Sequence, residues 1–245
     1  MTTWLAPGAT SVSALAVYHS VAPDGIAGGS PHLHTVASEA YLVTGGRGEL
    51  HVIDADGFRS VPLATGDTVR IEPGVVHRAV NRGGLEVRVL MSHAGLPEAG
   101  DAVLTFPDRI LADPERYAAA AYIPGPEASH AHRLEAAERR RDLAVEGYRA
   151  LFAETAEGFR VNPEAVAHLH ERAVALVGPR IERWRGLAAD TVERVAQETR
   201  ERLDALAQAD ARVLDGGRAV ASQPRQDYGM CGILMREHSI SGGQR

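Results

Sequence analysis

Pro31-His32-Leu33-His34-Thr35-Val36-Ala37-Ser38-Glu39 lies between a glycine-rich approach and a β-branched continuation, a setting that favours a strand. On a strand, residues two apart share a face, so His32 and His34 aim together. On a helix the same pair would diverge by about 200°. The Glu39 carboxylate can join the two imidazoles if the chain bends between them. A third imidazole follows downstream: Gly66-Asp67 opens a strand, Pro73-Gly74 turns it, and His77 and then Asn81 come next. Taken singly, each histidine reads most simply as a surface or core residue. Together in one β region, three neutral imidazoles and one carboxylate suit a borderline divalent ion such as Fe, Mn, Ni, Cu, Co or Zn. They leave one or two coordination positions open for water, O2 or substrate.

Outward from this stretch, the first 110 residues are built of short runs with glycine-rich punctuation. Ser13–Val21, Ala40–Thr44, Glu49–Asp54, Thr68–Glu72 and Glu86–Ser92 read as strands. Gly45-Gly46, Asp56-Gly57, Gly66-Asp67, Pro73-Gly74 and Gly83-Gly84 read as the turns between them. From about Ala128 to Arg212 the composition turns to Ala, Glu, Arg and Leu, and apolar residues recur at helical spacing, as in Val166, Leu169, Ala173 and Leu176. Asn162-Pro163-Glu164 has the form of a helix start, and Gly178-Pro179 of a stop followed by a new start. Arg212–Ala221 and Gly229–Arg236 read as strands that could return to the β region, and Ser239–Arg245 as a disordered end. The expected organisation is therefore a β domain over 1–110, a linker over 111–127, a helical segment over 128–212 and a tail over 213–245.

Composition narrows the function. The chain has 245 residues and a formal net charge of −6, so there is no basic field to hold nucleic acid or an anionic membrane. All 26 basic residues are arginine. Without a lysine amine, Schiff-base enzymes and the usual P-loop NTPases are excluded. The single cysteine, Cys231, allows neither an internal disulfide nor a cysteine-based cluster. No stretch approaches the run of about 20 apolar residues that a membrane span needs, and the expected location is cytoplasmic.

The paired segments resemble the cupin superfamily, whose motifs read roughly G-x5-HxH-x3,4-E-x6-G and G-x5-PxG-x2-H-x3-N. This chain supplies His32, His34, Glu39 and Gly46 for the first, and Gly66, Gly74, His77 and Asn81 for the second. It departs at Glu72, which stands where the PxG proline would be, with Pro73 next to the glycine. The resemblance covers about residues 15–95. It implies a mainly β jelly-roll barrel, followed here by an α-helical C-terminal segment. His32, His34, Glu39 and His77 would ligate one divalent transition metal per chain, Fe foremost. A single motif pair implies a monocupin and, by default, a homodimer acting on a small-molecule substrate. The activity expected first is that of a mononuclear non-haem metal dioxygenase or oxidoreductase. The alternatives are a redox-neutral isomerase, epimerase, cyclase or lyase that uses the ion as a Lewis acid, and a non-catalytic binding module.

Other residues are candidates around that centre. Tyr41 shares the face of Glu39 and either hydrogen-bonds a substrate or packs. Glu39, Tyr41 and His51 are the groups available to move protons. Arg70 would clamp an anionic substrate if it pointed into the barrel and would be a surface residue otherwise. His51 and His93 sit on expected strands and either line the pocket or are satisfied structural histidines. His130 with His132, and His168 with His170, repeat the HxH spacing on expected helices, where such pairs do not converge. Tyr228-Gly229-Met230-Cys231 could reach the pocket if the tail folds back. The helical segment is expected to cover part of the pocket mouth or to widen a dimer contact.

Overall fold

The computed structural model describes residues 6–155 and 158–239. Eleven strands and six α-helices follow in chain order among these residues. β1 is Ser11–Val17, β2 His32–His34, β3 Glu39–Asp54, β4 Gly57–Ala64, β5 Thr68–Ile71, β6 Val76–Met91 and β7 Ala102–Leu104. α1 (Asp108–Leu111), α2 (Pro114–Ala121) and α3 (His130–Arg149) come next, then a hairpin of β8 (Phe152–Thr155) and β9 (Gly158–Val161). α4 (Pro163–Val177), α5 (Ile181–Ala188) and α6 (Arg194–Ala207) form one helical run, joined by single turns of 3-10 and π-helix. The chain closes on β10 (Ser222–Tyr228) and β11 (Gly232–Ser239).

The long strands β3 and β6 pair antiparallel along nearly their whole length, from Glu39 opposite Met91 to Ile53 opposite Val76. The register slips between Val43 and Gly48, and that slip is the corner of the barrel. Before the corner, β3 lies beside β5, and the matching half of β6 lies beside β1. Beyond it, β3 lies beside β4, and the start of β6 touches β2, which pairs in turn with β7. Two facing antiparallel sheets thus share β3 and β6, as in a jelly roll. Gly45-Gly46 and Gly83-Gly84 are bends inside continuous strands rather than the turns read from sequence. Gly46 has φ +67°, and a Cβ there would lie 2.1 Å from the Gly84 carbonyl oxygen, so the corner excludes a side chain.

Alternation along β3 sends Tyr41, Val43, Leu50 and Val52 inward, where they meet Leu15, Val17, Ala79, Leu85 and Val87 from both sheets. A second core lies outside the barrel. Leu33, Val76, Val103 and Phe106 cover one side of it, and Leu111, Tyr117, Ala144, Tyr148, Leu169, Ala173 and Trp184 from the helical layer cover the other. Leu33 therefore faces the helices while its neighbours His32 and His34 face the barrel interior. Helix α3 comes close enough to the chain after β7 that Thr105 Oγ1 donates to the Ala144 carbonyl at 2.8 Å. A Cβ at Gly147 would stand 2.1 Å from the Thr105 oxygen.

Several sequence expectations change here. The region read as a linker holds the last residue of α1 and all of α2, the latter capped by Asp113, whose side chain accepts from the Glu115 and Arg116 amides. The helical segment is interrupted by the β8–β9 hairpin. Asn162 caps α4 as expected, accepting from the Glu164 and Ala165 amides. As expected, Gly178-Pro179 ends one α-helix and opens another: Gly178 caps α4, and a 3-10 turn leads into α5. Arg212–Ala221 holds a short 3-10 turn, Ala211–Leu214, and no strand; the strand begins at Ser222. β11 does return to the barrel, pairing with β1 from Ser13 opposite Arg236 to Val17 opposite Gly232. Of the expected disordered end, Ser239 closes β11 and residues 240–245 lie outside the described residues. Among the described residues no helix is long and apolar enough to cross a membrane.

Candidate metal centre

β2 is held between β6 and β7, with His32 directly opposite His77. The turn before β6 is tied to β2 by the Gly74 amide, which donates to the His34 carbonyl at 2.8 Å. Glu39 enters as the first residue of β3. Each of His32, His34, Glu39 and His77 offers one ligand atom, and these atoms lie within 4.8 Å of one another. All four residues are buried, His77 completely.

The remaining ring nitrogens fix the chemistry. His32 Nδ1 is 2.9 Å from the Ser30 carbonyl oxygen, and His77 Nδ1 is 3.0 Å from that of Val75. His34 Nδ1 is 3.0 Å from Asp101 Oδ2. Carbonyls and carboxylates only accept, so each Nδ1 carries the proton, and in neutral imidazole each Nε2 presents a lone pair. His77 Nε2 approaches Glu39 Oε2 at 3.0 Å, and His34 Nε2 approaches it at 3.6 Å. With Nδ1 already donating, the His77–Glu39 approach sets two acceptors face to face. Both atoms are otherwise buried without a hydrogen-bond partner. A cation among the four satisfies them all at once, and the donor set is of the kind borderline divalent ions take.

The charges around the cluster act on each group separately. Burial, and then the nearby His77 and His34, push the His32 imidazole well below its ordinary range. Burial alone would raise the Glu39 carboxyl, but His77 and His34 outweigh it and hold the group ionised. Burial pulls His34 down, and the Asp101 hydrogen bond with the Glu39 and Asp101 charges overcomes it to give a net rise. Asp101 is the one carboxylate behind the ligands that sequence reasoning missed. It is fully buried. Its Oδ1 accepts from the Thr35 amide (3.0 Å), the Val36 amide (2.7 Å) and Thr35 Oγ1 (2.7 Å). Its Oδ2 accepts from the Ala37 amide (3.1 Å) as well as from His34. A carboxylate that orients a ligating imidazole in this way raises its basicity as a ligand. No motif marks Asp101, since it sits in the turn Pro97–Asp101, far along the chain from β2.

His32, His34 and Glu39 of the cluster line a cavity of about 270 Å³ with Leu15, Val89, Met91 and Ala102 on its apolar walls. Tyr41 is buried beside it, its hydroxyl 3.8 Å from Cys231 Sγ. Burial above all pushes the Tyr41 phenol well above its ordinary range and the Cys231 thiol up to about 11. Both stay protonated at neutral pH. Tyr228, Gly229, Met230 and Cys231 all line the cavity because β10 and β11 fold back over β1. Arg140 of α3 completes the wall. Helices α4 to α6 supply none of the lining among the described residues, so the expected helical cover reduces to this one arginine.

Three candidate residues do not reach the cavity. His51 points away from it, 3.3 Å from Glu49 Oε2 and packed edge-on against Phe58, because inward positions on β3 fall at Leu50 and Val52. Arg70 is on the surface, paired with Glu72, because its neighbour Ile71 takes the inward place. His93 follows the end of β6 at φ +53° in a loop, not on a strand. Asn81 serves the corner: its Oδ1 accepts from the Gly83 and Leu85 amides. The other HxH pairs lie on α3 and α4, and the rings of His130, His168 and His170 engage other partners. His168 meets Asp108 at 2.7 Å, and His170 meets the Gly74 carbonyl at 2.9 Å.

Residues 17–93 match the family described as the cupin domain, a span that includes all four clustered residues. This segment is a cupin domain. No curated relative matches the sequence. Among solved structures the chain is similar to Pac13, a nucleoside dehydratase known from Streptomyces, at 17% identity with a TM-score of 0.27. That match covers 34% of this chain and 58% of the other. A protein with a double-stranded beta-helix domain from Klebsiella pneumoniae matches at 20% identity over 37% of this chain and 70% of its own, TM-score 0.28. DMSP lyases match at 21% identity over 36% and 41%, TM-score 0.28. The cupin match leaves the helical layer and the returning hairpin outside it.

Proposed function

We propose that the cupin domain is a mononuclear metal-dependent enzyme for a small polar organic molecule, and that its chemistry is oxidative, of the dioxygenase or oxidoreductase kind. The proposal is carried by one observation: three imidazole Nε2 atoms and a carboxylate oxygen converge as acceptors while every Nδ1 is committed elsewhere. His32, His34, Glu39 and His77 would hold the ion. A redox-active divalent ion such as Fe(II) supplies electron chemistry that these side chains lack. The chain's own contribution is to orient His34 through Asp101, to exclude water with Leu15, Val89, Met91 and Ala102, and to offer hydrogen-bond donors. The protonated Tyr41 and Cys231 can donate to a substrate oxygen but do not take protons at neutral pH.

That last point favours oxidation over a proton shuttle. An isomerase, epimerase or lyase needs a base beside the substrate. His51 lies outside the cavity, and Glu39 faces the ligand nitrogens. Of the remaining carboxylates of the lining, Glu98 is exposed and 3.7 Å from Arg236, and Glu237 is half-buried. Oxygen uptake by the Fe(II)-loaded protein, run over a panel of small carboxylates and neighbouring-oxygen compounds, tests the reading. Consumption of O2 in proportion to product supports it. Equal turnover without O2, with solvent deuterium entering the product, replaces it by the redox-neutral alternative. The homodimer expected of a monocupin belongs to the same proposal. Light scattering that returns the mass of one chain removes it.

A further inference from the structure

Among the described residues three arginines are buried: Arg78, Arg140 and Arg141. Two have a carboxylate. Arg78 pairs with Asp24 and also donates from Nε to the Gly29 carbonyl at 3.1 Å. Arg141 lies 2.8 Å from Asp142 and donates to Ser20. Arg140 has no such partner among the described residues. Its Nη2 donates to the Gly229 carbonyl at 2.7 Å, while its Nε is buried with no hydrogen-bond partner. The same carbonyl accepts from Tyr18 Oη at 3.2 Å, which pins the position of the guanidinium. Arg140 is 8% exposed and forms part of the cavity wall that carries His32, His34 and Glu39.

Burying a guanidinium without an anion is costly, and this one stands in a cavity wall with Nη1, which is not among its buried atoms, free of any protein partner among the described residues, so a bound ligand can supply the acceptor. We infer that Arg140 is the substrate-anchoring residue of this site and that the substrate is a small organic carboxylate with an apolar body. The carboxylate would lie against Arg140, with the rest of the molecule extending towards the four clustered residues. The assignment follows from the count of donors. One guanidinium with one nitrogen held by Gly229 suits a single negative charge, and a planar fork matches a carboxylate. A phosphate dianion would call for further cations, and the other arginine of the lining, Arg236, already faces Glu98 and Asp227. The apolar side of the cavity, with Leu15, Val89, Met91 and Leu234, fits a hydrocarbon portion. No motif marks Arg140, which lies on a helix outside the cupin match.

The inference rests on the proposed enzyme only for the use to which the bound anion is put; the anion site itself is independent of the metal. The test is equilibrium binding of benzoate, benzamide and phenyl phosphate by calorimetry, to metal-loaded and chelator-treated protein, in the wild type, Arg140→Lys and Arg140→Gln. Benzoate should bind at least about tenfold tighter than benzamide to the chelator-treated wild type, as expected of a charge-assisted hydrogen bond. Arg140→Gln should abolish that preference and Arg140→Lys should weaken it, with metal stoichiometry equal in all three. Equal affinity of the wild type for benzoate and benzamide overturns the inference whether or not the variants fold. A benzoate preference that survives in Arg140→Gln overturns the assignment to Arg140, and tighter binding of phenyl phosphate overturns the carboxylate class. Failure to bind metal with the benzoate preference intact would strike the proposed enzyme and leave the anion site standing.

Discussion

Replacing Asp101 by Asn changes one atom and should damage both the fold and the metal site. Asp101 accepts five hydrogen bonds, three at Oδ1 and two at Oδ2. If the amide oxygen keeps the Oδ1 place, the new NH2 faces the Ala37 amide and His34 Nδ1, which are both donors. Two buried donors without an acceptor cost about 1–3 kcal/mol each, so the metal-free protein should lose about 2–6 kcal/mol of stability. His34 can relieve its share by moving its proton to Nε2, but that consumes the lone pair aimed at Glu39 and His77. Loss of such a supporting carboxylate costs about 10–100-fold in metal affinity. Urea unfolding of the chelator-treated protein measures the first effect, and competition against a chromophoric chelator measures the second. Thr35→Val, which removes only the hydroxyl donor to Asp101, should lower stability by about 1 kcal/mol and leave metal affinity unchanged. A folded Asp101→Asn protein with wild-type metal affinity would refute the argument that Asp101 sets the His34 tautomer.

Elemental analysis should find stoichiometric metal in His168→Ala and none in His34→Ala, since His168, on α4, pairs with Asp108 of α1 and takes no part in the cluster. Gly147→Ala should destabilise the protein by about 1–3 kcal/mol in thermal or urea unfolding, because its methyl would meet the Thr105 backbone and push α3 off the barrel. The Arg82 side chain above all, then Ser60, holds Glu49 down to about 2. A carboxylate with a depressed pKa in the fold stabilises above its unfolded value and loses that contribution as pH falls through the folded one. The partly exposed Glu49→Gln should therefore cost about 0.5–1 kcal/mol at pH 7, a deficit that fades between about pH 4.5 and 2.

The cluster was legible because its spacing is a property of strands. Two histidines two apart, and a turn that brings a third beside them, need only the period of β structure to converge. Tyr41 was legible for the same reason, being two residues beyond Glu39. The placing of His51 and Arg70 stayed open at a question that local sequence does not answer, namely which face of a strand is inside. On β3 the register slip at the glycine corner resets the alternation after Val43, so that Leu50 and Val52 point inward. On β5 Ile71 takes the buried place and leaves Arg70 to solvent. The glycine pairs were read as turns because bends within a strand and turns between strands use the same residue. Asp101 and Arg140 carried no signal at all. Each acts through a contact far along the chain, and an arginine in an arginine-rich helix looks like any other until its neighbours are known. The β8–β9 hairpin was hidden inside a segment whose composition is helical.

The claim beneath all of this is that His32, His34, Glu39 and His77 close on one ion through three Nε2 atoms and one carboxylate oxygen. X-ray absorption of the protein loaded with one equivalent of Fe(II) tests it most directly. The spectrum should show three imidazole nitrogens and oxygen donors with no sulfur, and that signature should be lost in His77→Ala. Coordination that includes sulfur from Cys231, or a spectrum unchanged by His77→Ala, would contradict it.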